Sequence, residues 1–178
     1  MPLAGLFPPS LDRANAVKLD FDLQVLSEDS GASSDRSGFS IIVLTSDLQG
    51  VELSFWEDEV WAQNSSFTHG EGTLFNTTNA LTSYSLQILG SGYSLVADRF
   101  LLSGLLRDYS GNNVSILGVP IYGIANHTFI GDDTQSAQGN VILGGVTLTT
   151  AVVPLPPSIA LALVAFAATL SVRRNRAA

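Results

Sequence analysis

The feature that most constrains the fold is a strict alternation of apolar and polar residues over residues 17–26. Every second residue from Val17 to Val25 is apolar, and Lys18, Asp20 and other polar residues lie between them. A repeat of two residues places the apolar side chains on one face of a β-strand. The segment therefore predicts a strand of an antiparallel sheet with one buried and one exposed face.

Further strands are predicted along the chain, separated by turn-forming residues. They are residues 39–44, 51–61, 81–89, 93–97, 100–106, 127–130 and 141–148. The acidic residues in the second half of 51–61 lie in the strand or in a bend of it. Residues 67–78 are predicted as a loop or short strand, Gly90-Ser91-Gly92 as a hairpin turn, Asp98-Arg99 as a second tight turn, and Gly144-Gly145 as a bulge. No stretch of the body of the chain, meaning the part before residue 153, carries a sustained helical period. Short strands joined by turns predict an all-β, antiparallel two-sheet sandwich or barrel.

The charge of the body excludes one class of partner. Three of the eight basic residues, Arg173, Arg174 and Arg176, stand at the end of the chain, so the body holds 16 acidic against five basic residues, a charge near −11. A surface this negative repels phosphate backbones, so we expect no nucleic-acid partner. The absence of cysteine excludes disulfides, thiolate metal sites and cysteine nucleophiles.

The C-terminal segment has three parts in a fixed order. The residues Val153, Pro154, Leu155, Pro156, Pro157 and Ser158 come first. An uncharged apolar run, predicted as one transmembrane-type helix at 159–172, follows, and the arginine cluster ends it. Counted from Ser158 to Val172, the run spans about 22 Å of helix at ~1.5 Å per residue, short of the ~30 Å hydrocarbon core. With the arginines on the cytoplasmic side, the body lies outside.

These three parts resemble the PEP-CTERM class of sorting signals, in its VPLPA or VPxPPS form. The resemblance implies export, at least transient insertion in the inner membrane, and processing near the prolines by an exosortase-type protease. It also implies a location at the cell envelope, the cell surface or in an exopolysaccharide matrix. The short length of the apolar run favours a sorting signal that is removed by processing over a permanent membrane anchor.

The beginning of the chain conflicts with export. Residues 1–16 are predicted to be irregular, and they lack a basic segment followed by an apolar one, so no signal peptide is visible. The hypothesis is a start assigned too late or a truncated chain. The predicted organisation is then an irregular segment at 1–16, a sandwich at 17–150, a proline-rich linker at 151–158, the helix at 159–172 and a basic tail at 173–178.

The body resembles the concanavalin A-like jelly roll of the laminin-G type. The resemblance rests on residues 93–98, residues 103–109, the segment Phe129-Ile130-Gly131-Asp132-Asp133 and the closing strand at 141–148. It implies a jelly-roll sandwich.

Two carboxylates are candidates for catalysis. Glu57 and Glu59 lie between Trp56 and Trp61, and in one continuous strand they would share a face. Paired carboxylates beside aromatic residues are what glycoside hydrolysis needs. Their spacing does not fit the pattern of the family 16 glycosidases, and an exposed acidic strand edge accounts for them as well.

Metal-binding and sugar-stacking residues are candidates of a second kind. The oxygen ligands of a calcium site would be Glu28, Asp29, Asp35, Asp132 and Asp133, although no contiguous calcium loop is present. The aromatic residues that could stack on sugar rings are Trp56, Trp61, Tyr109 and Tyr122. His69 and His127 stand alone, without a nucleophile motif or metal-ligand spacing.

The sequence therefore predicts an exported, non-catalytic surface or matrix protein that needs no cofactor. Polysaccharide is the first candidate ligand and a divalent cation, Ca²⁺, the second. Two alternatives stay open: a polysaccharide hydrolase acting through Glu57 and Glu59, and a purely structural matrix protein.

Overall fold

The computed structural model describes residues 10–111 and 119–151. Within these residues the chain forms eleven β-strands and one 3₁₀ turn at Ile121–Gly123. The strands are β1 (Ala16–Asp29), β2 (Ser40–Leu44), β3 (Gln49–Phe55), β4 (Glu59–Gln63), β5 (His69–Leu74), β6 (Thr82–Leu89), β7 (Gly92–Ala97), β8 (Phe100–Leu105), β9 (Arg107–Asp108), β10 (His127–Gly131) and β11 (Gln138–Ala151).

The strands form two antiparallel sheets. One is five-stranded, in the order β11-β1-β6-β7-β8. The other is six-stranded, in the order β10-β2-β3-β4-β5, with β9 added to the free end of β3. The predicted all-β, two-sheet antiparallel architecture is confirmed. The helix predicted at 159–172 lies outside the described residues.

The main core lies between the two sheets. The alternation in β1 turns Val17, Leu19 and Phe21 inward, each about 1% exposed, as predicted. Phe21 stacks on Tyr84 of β6 with ring centroids 5.2 Å apart, and both rings meet the edge of Phe55 from the other sheet. Aromatic pairs of this kind add about 0.5–1.5 kcal/mol each beyond the burial of apolar area.

A second, smaller apolar cluster covers part of the outward face of the six-stranded sheet. Ile42 and Leu44 of β2 point away from the main core and pack against Tyr109, Ile121 and Tyr122. Strand β2 is therefore buried on both faces. This covering layer also keeps solvent away from the polar residues that the neighbouring strands place on the same face.

The segment predicted as one strand at 51–61, with its acidic residues in the strand or in a bend, is two strands joined by a tight turn. The backbone N–H of Trp56 donates to the carbonyl oxygen of Glu59 over 2.9 Å, which closes a hairpin around Glu57 and Asp58. Part of the segment at 67–78 forms β5. The hairpin turn joining β6 to β7 and the tight turn at Asp98, whose φ is +45°, are as predicted.

The predicted bulge in β11 is also present. The register shifts between the pair Asp20–Thr147 and the pair Asp22–Gly144, so β11 holds one residue more than β1 there. Gly145 has a φ of +37°, a conformation that glycine adopts more readily than other residues.

Candidate functional site

A polar cleft opens on the outward face of the six-stranded sheet. Its cavity volume is about 220 Å³. The residues that the strands supply to it are Ser40, Glu52, Ser54 and Gln63, and the residues that loops supply include Asp35, Arg36, Phe67, Tyr122 and Asp133.

The alternation in β3 places two of these side chains. Val51, Leu53 and Phe55 enter the main core, so Glu52 and Ser54 lie on the opposite face. On a solvated face, such polar side chains would lose no hydration free energy. Here the covering layer leaves Glu52 only 3% exposed.

Glu52 belongs to a cluster of two carboxyl groups and one tyrosine hydroxyl. The Tyr122 hydroxyl lies 2.6 Å from Glu52 Oε2 and 3.1 Å from Asp133 Oδ2. A phenol has one hydrogen and can donate it to only one of the two carboxyl groups. The second contact is satisfied when that carboxyl group carries a proton of its own.

The electrostatics of the cluster favour such a proton. Burial, and then the nearby charge of Asp133, raise the pKa of Glu52 well above its ordinary value. Burial also raises the pKa of Asp133 and of Tyr122. Two carboxyl groups this close do not both ionise easily, so the pair retains a proton in the range where isolated carboxyl groups have lost theirs.

One oxygen of the cluster lacks a protein partner. Asp133 Oδ1 is buried and accepts no hydrogen bond from the described residues. A buried acceptor without a partner is costly, of the order of 1–3 kcal/mol. Such groups are uncommon in native structures and often have a functional explanation.

A second tyrosine stiffens the floor of the cleft. The hydroxyl of Tyr109 accepts a hydrogen bond from the backbone N–H of Glu52 over 3.3 Å and donates one to the carbonyl oxygen of Gln63 over 2.6 Å. It thereby ties β3 to β4 where the two strands diverge.

Arg36 is the one basic residue among those that line the cleft in the described part of the chain. Its Nη1 donates to the carbonyl oxygens of Asp35, over 2.9 Å, and Phe67, over 3.1 Å. Its own carbonyl oxygen accepts the indole N–H of Trp56 over 2.7 Å. These contacts hold the guanidinium at the rim, where its charge lowers the pKa of Glu52 by less than burial raises it.

A second depression adjoins the first beyond Trp56. Glu28, Ser30, Trp56, Glu57 and Asp58 line it, and its volume is about 370 Å³. Burial, followed by the charges of Asp29, Glu57 and Asp58, raises the pKa of Glu28.

The structure separates the two carboxylates predicted for catalysis. Glu57 is exposed in the turn, whereas Glu59 begins β4 and lies 3.4 Å from Nε2 of His69. The hypothesis that they share one strand face is wrong, because the strand ends at Phe55. The acidic residue in the cleft, Glu52, was missed; a charged residue inside an apolar strand was the signal that could have indicated it.

The predicted sugar-stacking aromatics are mostly buried. Trp61 and Tyr109 are 0% exposed and Tyr122 is 1% exposed, so their ring faces are not presented to solvent. Trp61 instead stacks on His69, with centroids 4.4 Å apart. Of the four, Trp56 remains partly exposed, at the second depression.

The five predicted calcium ligands are divided among different places. Asp35 and Asp133 line the cleft, Glu28 lines the second depression, Asp29 is exposed, and Asp132 is exposed and accepts a hydrogen bond from the backbone of Thr134. Within residues 10–111 and 119–151, no group of three or more histidine or acidic side chains is placed to hold a metal ion.

His127 has a buried ring nitrogen, Nε2, without a partner among the described residues, and burial lowers the pKa of its ring. The sorting motif at 153–158 and the arginines at 173, 174 and 176 lie outside the described residues. In the part that is described, no helix has the length and apolar character needed to cross a membrane.

Comparison with known proteins returns structures but no sequence relatives. No protein-family model and no curated protein matches the sequence. Three solved structures of the family 7 alginate lyase A1-II′ are similar in architecture. A double variant with its substrate GGMG has a TM-score of 0.44 at 12% identity, over 88% of this chain and 69% of the lyase. A cysteine double variant scores 0.45 and a single variant with the product GGG scores 0.44, both at 12% identity over 81% of this chain and 66% of the lyase.

These structures correct one prediction. The protein was expected to have no catalytic activity, and that prediction is contradicted because the solved structures found by the comparison are enzymes. At this level of similarity the comparison assigns no role to any residue of this chain.

Proposed function

We propose that the protein is a polysaccharide-cleaving enzyme with a concanavalin A-like jelly-roll fold, and that it acts through the cleft at Glu52, Tyr122 and Asp133. The observation that carries the proposal is the buried carboxyl cluster at the floor of this cleft. The named lyases also act on a polysaccharide, but the residues that support the proposal come from this chain alone.

The cluster offers the chemistry that breaking a glycosidic bond requires. The oxygen that leaves must receive a proton, and a carboxyl group whose pKa is raised is suited to donate it. Glu52 is such a group, since burial and Asp133 hold its pKa high. Tyr122 orients it through the 2.6 Å hydrogen bond.

The size of the cleft limits how the polymer is held. A volume of about 220 Å³ is below the ~300–1,000 Å³ usual for drug-sized ligands, so only a short part of a chain enters it. The rest of the polymer would continue past Trp56 towards the second depression, which lies at the turn between β3 and β4 and the end of β1.

The test is an assay of the full chain in detergent on a panel of neutral, amino and uronate polysaccharides, with new reducing ends as the readout. We expect cleavage of at least one polymer, and a loss of about 10²–10⁴-fold in the variant Glu52→Gln. Glu59→Gln is the matched control, because Glu59 lies outside the cleft, and it should keep full activity. Absence of cleavage across the panel, or equal loss in both variants, contradicts the proposal.

We further propose that the chain is exported and processed near residues 153–158, so that the enzyme meets its substrate at the cell envelope or in the surrounding matrix. The order of proline segment, apolar run and arginine cluster supports this. Cell fractionation with mass spectrometry of the mature C-terminus tests it. A full-length C-terminus in the cytoplasmic fraction would overturn it.

A further inference from the structure

We propose that the polysaccharide taken by this site carries no anionic groups, being neutral or an amino-sugar polymer, and that its cleavage is hydrolysis. The inference rests on the function proposed above and deepens it by naming the substrate class. It departs from the lyases, whose substrate alginate is a polyuronate, and it is argued from the charges around the cleft.

The first argument is the charge of the cleft itself. Three carboxyl groups line it, those of Asp35, Glu52 and Asp133, against the single guanidinium of Arg36. Even with one proton shared between Glu52 and Asp133, the lining does not become positive. Nη1 of Arg36 already donates to two carbonyl oxygens, so this nitrogen is not free to bind a carboxylate.

The second argument is the surface over which the polymer would continue. The second depression adds the carboxyl groups of Glu28, Glu57 and Asp58, and no basic residue of the described ranges lines it. The two depressions meet where the indole of Trp56 bonds the carbonyl oxygen of Arg36. A polyanion lying across both would place its charges against carboxylates on a surface with few cations, and like charges this close repel.

The third argument is where the other basic residues lie. Arg13 pairs with Asp47 and Lys18 with Asp20, each on the surface of the sandwich, and Arg107 pairs with Glu71. The remaining basic residue of the body, Arg99, is exposed in the turn between β7 and β8. None of these four lines either depression. The field near the site is therefore set by acidic residues and attracts cations or neutral chains rather than anions.

The substrate class decides the reaction. Elimination removes the proton next to a uronate carboxyl group, which makes that proton acidic; a sugar without this group lacks such a proton. Water must then attack the anomeric carbon as the bond to the bridging oxygen breaks. Glu52 donates a proton to that oxygen, and the proton that water releases returns to the Glu52–Asp133 pair, so atoms and charge balance.

The first experiment compares polymers that differ in charge, with two readouts. The full chain is incubated with a neutral β-glucan, with chitosan and with polyuronates, in chelator and again with added Ca²⁺. New reducing ends report any cleavage, and ultraviolet absorbance of a new C4–C5 double bond reports elimination alone. We expect reducing ends from the neutral or amino polymer without that absorbance. Cleavage of polyuronate, with or without Ca²⁺, overturns the inference and leaves the proposed function standing. Cleavage of no polymer overturns both.

The second experiment changes the charge of the rim without touching the cluster. The double variant Glu57→Lys, Asp58→Lys makes the second depression more positive. We expect kcat/KM to fall about tenfold for chitosan at low salt, and less as salt rises. With the neutral glucan it should change little. The double variant Asp20→Lys, Asp22→Lys, on the outward face of the other sheet, is the matched control for the same charge change far from the site. An equal effect of the control and the rim variant on chitosan, or a gain for chitosan in the rim variant, contradicts the inference.

Discussion

The outward faces of the two sheets differ in what covers them, and this difference places the site. In β1, on the five-stranded sheet, buried positions alternate with exposed or half-exposed ones, and the outward residues include Lys18, Asp20 and Asp22. In β3, on the six-stranded sheet, six of the seven residues are buried. The same two-residue alternation thus yields a solvated face in one sheet and a desolvated one in the other. Desolvation is what alters the acid–base chemistry of a carboxyl group.

The largest expected effect concerns activity on the covered face. Tyr122→Phe removes the hydroxyl that contacts both Glu52 and Asp133, and we expect kcat to fall by about 10²-fold or more. Tyr93→Phe is the matched control, because the hydroxyl of Tyr93 bonds Glu71 outside the cleft. Steady-state kinetics on the cleaved polymer check it, with circular dichroism to show that both variants fold. If the two variants lose equal activity, the Tyr122 hydroxyl has no particular role in catalysis.

The next effect compares one substitution on the two outward faces. Leu44→Ala removes a fully buried side chain under the covering layer and should lower the free energy of unfolding by about 2–5 kcal/mol. Leu89→Ala removes one that is 50% exposed on the other sheet, and we expect a change within about 0.5 kcal/mol. Urea denaturation measures both. Similar losses would show that the two faces are covered alike.

Glu52 should contribute to the pH dependence of the free energy of unfolding. Its pKa is raised in the folded state, so its contribution is complete below the ordinary value near 4.5 and is lost as pH rises towards the folded pKa. Each unit of that rise corresponds to about 1.4 kcal/mol. Glu52→Gln should therefore flatten the fall of the unfolding free energy above this pH.

Asp133 contributes with the same sign, because burial raises its pKa as well. The double variant Glu52→Gln, Asp133→Asn should then be flatter than the single one. Tyr122 and Arg36, which also face the cluster, are unchanged in both variants and serve as the common background. Urea denaturation at a series of pH values measures the slopes. An unaltered slope in the double variant would mean that the cluster is solvated.

The smallest effect lies on the solvated face and has the opposite sign. The hydrogen bond from Lys18 lowers the pKa of Asp20, so its contribution is present above about pH 3.8 and is lost as pH falls. The pair is exposed and screened by solvent, so Asp20→Asn should cost less than about 1 kcal/mol at neutral pH, and high salt should reduce this further. Denaturation at two salt concentrations checks it. A larger, salt-independent cost would indicate burial of the pair.

Some elements were predictable because their signal is local. The alternation at 17–26 indicates a strand whatever its neighbours are, and glycines mark the bulge in β11. The sequence left open whether residues 57–59 lie in a strand or in a bend, because no glycine or proline marks a turn there. The hairpin is closed by the hydrogen bond between Trp56 and Glu59, which composition does not reveal.

The sequence by itself determined that this is an antiparallel β protein, because a repeat of two residues is a property of neighbouring positions. It also determined that the body is strongly acidic. Only the tertiary structure decided which acidic residue is buried in the cleft. Glu52 meets Tyr122, 70 positions later in the chain, and both meet Asp133, because the segments after β9 and β10 fold over one face of one sheet. Burial by a distant segment is what raises the pKa of Glu52, and no local pattern records it.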